Sequence, residues 1–227
     1  MDAEARSGTR DSGAAHRLSL ADLAVCGCGH VAVDHHGTDP VDGCQGLAGR
    51  CRCPLACGAV LAAATAGYRY TLTRAEPATL SDPAGLPATL VWMMLNPSTA
   101  DDRADDPTLR RVRAFTARLG YRQLLVVNLY AWRATRPQDL WLAGDPVGAL
   151  NDQVITRAAE IAAVGDAPII AGWGANAQSG RVADVLALPG VACRLHHLGP
   201  ATQAGAPRHP LYLPSDAPLR RWAPAQC

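Results

Sequence analysis

The sequence predicts an α/β fold: a central, mainly parallel sheet in a three-layer α/β/α arrangement, with a small zinc-stabilised module before it. Three observations predict this. Short apolar runs alternate with helical patterns of about 10–15 residues over the second two thirds of the chain, as parallel βαβ units require. Hydrophobic residues make up 48% of 227 and charged residues 18%, enough apolar material for one packed domain and too much for a disordered chain. Six of the eight cysteines fall between Cys26 and Cys57, in a stretch with few large apolar side chains.

Each element follows from local signals. Residues 1–19 are small, polar and aperiodic, and are expected to be a disordered leader. Residues 20–58 form the Cys/His module and 59–67 a linker; residues 68–227 form the α/β domain. Within that domain, 68–73 alternate aromatic and polar residues, the pattern of an edge strand. The continuous apolar run 89–95 stops at Asn96-Pro97 and predicts a buried strand. Asp106-Pro107 opens a helix that runs to about Leu119, with Gly120 just past its end. A second buried strand is expected over 123–128, a helix over 149–164, a strand over 168–171, a helix over 175–186 and a last strand over 191–195.

Charge narrows the partners only slightly. The net charge is +1, and every basic residue is Arg. Residues 1–60 hold five Arg against seven acids and the remainder sixteen against thirteen, so the α/β domain is the more basic part. Arg110, Arg111, Arg113, Arg118 and Arg122 crowd the 106–119 helix, with Arg103, Arg133, Arg136 and Arg208 as further members of a phosphate track. A solvated helix face explains the crowd equally well. Asp101, Asp102, Asp105 and Asp106 stand just before that helix, as capping residues do. No run approaches the ~18 apolar residues of a membrane span and no export signal is visible, so the chain is expected in the cytoplasm, away from membranes and as a monomer.

Without an oxidising compartment, clustered Cys with interleaved His point to metal rather than disulfides. Cys26, Cys28, His36, Cys44, Cys51 and Cys53 are the candidate ligands, more than the four that one tetrahedral Zn²⁺ needs. His30, His35 and Cys57 complete the set. The spacing matches no standard finger but resembles short Cys/His zinc modules. Structural zinc is expected, with DNA grip or docking of a protein partner as its role, and no cofactor is required for chemistry.

In parallel α/β sheets ligands bind beyond the carboxyl ends of the strands, and here those ends are polar and specific. They carry Leu95-Asn96-Pro97-Ser98-Thr99-Ala100-Asp101, Asn128-Leu129-Tyr130, Arg133-Ala134-Thr135 and Trp173-Gly174, followed by Arg208-His209-Pro210-Leu211-Tyr212-Leu213. Singly, an Asn after a strand is a turn or cap residue; jointly they need another explanation. With Tyr68-Arg69-Tyr70 and Asp106-Pro107-Thr108, these segments resemble the DUF1643 family of bacterial and phage proteins. More distantly, their order resembles the uracil-DNA glycosylase superfamily, in its mismatch-specific, Asn-Pro branch. Met94 stands where that superfamily usually has Gly.

The superfamily resemblance implies a three-layer domain that hydrolyses the N-glycosidic bond of a base flipped out of DNA, here a modified or non-standard one. It implies that Asn96 and His209 are catalytic: Asn96 holds the attacking water, and neutral His209 donates to the departing base. Asn128, with one donor and one acceptor, would read the base edge. Pro97, Ser98, Trp173, Arg208 and Tyr130 would line the substrate site, and Leu211 or Tyr212 would wedge into the stack. Core packing explains Tyr130 equally well. Two other classes fit the same residues: a hydrolase or transferase acting on free modified nucleotides, and a non-catalytic nucleic-acid-binding module. A positive groove beside the pocket favours the first reading, a closed mouth the second.

Overall fold

A computed structural model of the chain describes residues 67–75, 89–98 and 105–222. The expected leader, the Cys/His module with all its candidate ligands, and nearly all of the linker lie outside the described residues. The described part is α/β, built on a six-stranded sheet of order β1-β3-β2-β4-β5-β6. Its strands are β1 (Leu72–Ala75), β2 (Thr89–Met94), β3 (Gln123–Asn128), β4 (Ile169–Ala171), β5 (Leu195–Leu198) and β6 (Leu219–Arg221). The helices are α1 (Pro107–Arg118), α2 (Pro137–Leu140), α3 (Asn151–Val164), α4 (Ser179–Leu186) and α5 (Val191–Arg194). No described helix is long and apolar enough to cross a membrane.

The sheet is mixed, which corrects the expectation of a mainly parallel one. β3, β2, β4 and β5 run parallel to one another, while β1 pairs antiparallel with β3 and β6 with β5. The physical reason at the β6 edge is the connection. A parallel neighbour needs a long crossover, usually a helix, whereas β5 reaches β6 through a loop whose ordered piece is the 3₁₀ turn Pro210–Tyr212. The last predicted strand is also displaced. Residues 191–194 form a helical turn entered through Gly190 at φ +75°, and the strand starts at Leu195, because the pair His196-His197 hides a strand that periodicity reads four residues too early.

β2 is the centre of the domain, and all six of its residues are buried. Its alternate side chains feed two cores, as the two-residue period of a strand dictates. Val91 and Met93, with Leu95 just beyond the strand, pack with Val154, Ile155, Ala158 and Ala162 of α3. Leu90, Trp92 and Met94 pack with Leu109, Val112 and Phe115 of α1. The register sets Met94 beside Asn128 and Met93 beside Ala171, so three strands finish at one edge.

α1 begins where the sequence places it. Asp106 is the N-cap, its Oδ1 accepting from Leu109 N at 2.7 Å, and Pro107 fills the first turn. Its one buried polar contact into the core is linked: Trp92 Nε1 donates to Thr116 Oγ1 at 2.9 Å, and Thr116 Oγ1 donates to Val112 O at 2.8 Å. Thr116→Val keeps the shape but orphans the indole N–H. It is expected to lower the unfolding free energy by about 1–3 kcal/mol in denaturant titration, whereas Thr116→Ser stays near wild type.

Candidate functional site

Beyond the carboxyl ends of β2, β3 and β4 lies a cavity of about 540 Å³, within the range of small-molecule sites. Eight of the sequence-predicted site residues line it: Asn96, Pro97, Ser98, Asn128, Trp173, Arg208, His209 and Tyr212. It sits at the switch in strand order: the chain goes from β2 to β3 on one side, then returns to lay β4 on the other, the place where such sheets bind ligands.

The walls are laced together by backbone. Leu129 N, Tyr130 N and Ala134 N donate to Met94 O, Leu95 O and Pro97 O, joining the loops after β2 and β3. Asn96 completes the seam. Its Nδ2 donates to Pro97 O at 3.0 Å and to Ala134 O at 2.8 Å. Both partners are carbonyls, so the amide orientation is fixed, and Oδ1 is left as the acceptor.

Asn128 is only 3% exposed, yet its side chain makes no hydrogen bond among the described residues while it lines the cavity. A buried amide normally finds a partner inside the protein. Its backbone, by contrast, is held firmly. Asn151 Nδ2 donates to both Asn128 O and Leu129 O at 3.0 Å, and Arg181 Nε donates to Leu129 O at 2.8 Å. Arg181 is itself anchored by Asp152 at 2.6 Å. Asn128 is thus a rigid strand end whose amide, both donor and acceptor, belongs to the cavity lining.

His209 arrives from the closing loop. Pro210, next to it, sits so close to Gly172 at the end of β4 that a Cβ there would lie 3.2 Å from the proline ring. Arg111 of α1 donates to Leu213 O and holds the loop from the other side. His209 Nδ1 accepts from Leu211 N at 3.4 Å, which leaves Nε2 to carry the proton and act as donor. Burial lowers the His209 pKa, opposed by the nearby Asp106 charge, so the ring is neutral at physiological pH. Tyr212, 78% exposed, stands beside it with ring centres 5.8 Å apart.

Two predicted residues lie elsewhere. Tyr130 does not line the cavity; it is 2% exposed in the α3 core, edge-on to Trp141 with its hydroxyl accepting from Gln178 N. Leu211 is partly exposed and does not line it either. The arginine track is also engaged internally. Arg110 donates to Asp105 O, Arg113 pairs with Asp105 Oδ2 at 2.5 Å, Arg118 donates to Ala217 O and Arg136 pairs with Asp139. Arg111 and Arg118 also lie over the Phe115 ring. Arg111 and Arg118 fasten α1 to the segment that carries Leu213 and Ala217, whereas Arg136 and Asp139 pair within the first turn of α2.

Sequence reasoning missed two charged residues of the cavity. Arg69 and Asp106 both line it. Asp106 was masked by its adequate explanation as a helix cap. The segment Asp106-Pro107-Thr108, already singled out among those shared with the family, is the signal that could have pointed to it, since Thr108 lines the cavity as well.

Comparison with known proteins adds one finding. No curated protein and no solved structure matches the chain. The family described as "Protein of unknown function (DUF1643)" matches residues 69–211, a span that includes every described wall of the cavity except Tyr212. The chain belongs to the DUF1643 family.

Proposed function

We propose that the chain is an N-glycosidase of the DNA-glycosylase type, which hydrolyses the bond between the sugar and a flipped, modified or non-standard base in DNA. One observation carries the reading: Asn96, the otherwise unbonded amide of Asn128 and the neutral, donor-bearing His209 face one cavity beyond the strand ends. Breaking an N-glycosidic bond builds positive charge on the sugar and negative charge on the departing base. The reaction needs an oriented water, a donor to the base and a reader of its edge. Asn96 Oδ1 orients the water, His209 Nε2–H donates to a base carbonyl, and Asn128 reads the edge. Tyr212 at the mouth and Leu211 beside it act on the base stack. The two cores on opposite faces of β2 support the three-layer, glycosylase-like arrangement.

Hydrolysis or group transfer on a free nucleotide is the second reading. It is favoured by the internal partners of Arg110, Arg111, Arg113 and Arg118, which leave α1 fewer cations for a DNA backbone. Duplexes carrying assorted modified bases, tested for alkali-labile sites beside the matching free nucleotides, separate the two.

With a duplex substrate, His209→Ala is expected to slow single-turnover excision by roughly 10²–10³-fold while DNA binding holds. Leu211→Ala is expected to impair excision from duplex more than from single strands, where flipping costs less. Equal rates for both variants and wild type would remove the closing loop from the chemistry.

The sign of the pH dependence is set by His209. Its placement needs the neutral ring, because protonating Nδ1 removes the acceptor for Leu211 N, and burial pushes its pKa below the usual histidine value. Activity is expected to persist through mildly acid pH and to fall only as pH drops through that lowered value. A plateau lost at or above the usual histidine range in the kcat–pH profile would contradict the assignment.

The Cys/His module is proposed to fold around structural zinc, in the cytoplasm, and to dock DNA or a protein partner. Protein purified without added metal is expected to carry at least one zinc ion per chain by elemental analysis. A metal-free chain whose N-terminal segment resists protease equally would exclude this.

A further inference from the structure

We propose that Asp106 is the general base of this cavity, taking the proton of the attacking water, a role beyond its capping of α1. The proposal rests on the N-glycosidase reading above and names the group that reading lacks. Asn96 can orient water, but an amide oxygen is too weakly basic to accept its proton. His209 is committed in the opposite sense: its Nδ1 accepts from Leu211 N and its Nε2 carries a proton to donate. Arg69 and Arg208 are cations. Asp106 is the one carboxylate among the described residues that line the cavity.

Its two oxygens are differently engaged. Oδ1 accepts from Leu109 N at 2.7 Å, which fixes the carboxylate plane against the first turn of α1. Oδ2 accepts from no described residue. A cap needs only one oxygen; the second, fixed in place by the first, belongs to a residue that lines the cavity. The Asp106 charge also reaches His209, where it opposes the effect of burial, which places base and donor within one electrostatic neighbourhood.

The step balances without a co-reactant. Water oxygen forms a bond to the sugar carbon as the carbon–nitrogen bond breaks. The electron pair of that bond leaves with the base, whose developing charge is met by His209 Nε2–H. One water proton passes to Asp106 Oδ2 and is then released to the departing base or to solvent.

Asp106→Asn is the decisive variant, because Asn caps a helix about as well as Asp and keeps the shape while removing the basic oxygen. With a duplex substrate cleaved by wild type, the variant is expected to keep the wild-type melting midpoint and KM while kcat falls by roughly 10²–10⁴-fold. Asp106→Ser, a second capping residue, is expected to show the same loss. The His209 ring titration, followed by NMR, is expected to move to lower pH in Asp106→Asn. Wild-type kcat in a variant of unchanged stability, or an unmoved His209 titration, would overturn the proposal and leave Asp106 a cap. Absence of base release by the wild type itself would overturn the glycosidase reading and the base with it, so the two failures are read from different proteins.

Discussion

The carboxyl end of a parallel strand presents carbonyls that the ladder no longer satisfies, and buried carbonyls need donors. At the end of β3 the need is met from two helices: Asn151 of α3 bonds Asn128 O and Leu129 O, and Arg181 of α4 bonds Leu129 O. The site depends on this clamp. It fixes the backbone of Asn128 with side chains that approach from behind the sheet, so the Asn128 amide remains available to the cavity in front. The same division recurs at Asn96, whose Nδ2 closes the seam between two loops and whose Oδ1 is left over. In both cases a polar residue at a strand end has one set of atoms tied into the fold, backbone at Asn128 and Nδ2 at Asn96, and another left uncommitted.

The rest of the cavity is arranged around that fixed edge. α1 brings Asp106 and Thr108 to the wall and, through Arg111, holds the loop that carries His209. The arginines of α1 therefore act on the fold before they could act on phosphate. In the proposed reaction this shifts weight from the backbone of a nucleic acid to the base as the source of recognition. A neutral histidine and an uncommitted amide suit a planar heterocycle with carbonyl and N–H groups better than a highly charged ligand.

Much of this was legible in the sequence, for identifiable reasons. β2, β3 and α1 were read nearly to the residue, because a continuous apolar run ended by Asn-Pro, and an Asp-Pro start with Gly past the end, leave few alternatives. The convergence of Asn96, Asn128 and His209 followed from the strand-end rule and motif order. The mixed sheet was not legible, since the antiparallel edges depend on connections that carry no helical signal. β5 was read early because His196 and His197 interrupt its apolar pattern, and the three exposed residues of β6 carry no strand signal. Tyr130 was legible only as an aromatic after a strand, with core and pocket equally open; Trp141 and α3 decide for the core. Asp106 was hidden by having one sufficient explanation already.

The central claim is that the uncommitted groups at the strand ends form a pocket for a nucleobase. It is tested most directly by NMR on protein labelled at Asn side-chain amides and His rings, titrated with free nucleobases and nucleosides. The account predicts that the Asn128 amide and the His209 ring shift together and saturate with the same ligand, and that Asn151, behind the sheet, moves far less. Saturable binding that shifts residues away from this cavity, or a pair of resonances at Asn128 and His209 that no base perturbs, would contradict it.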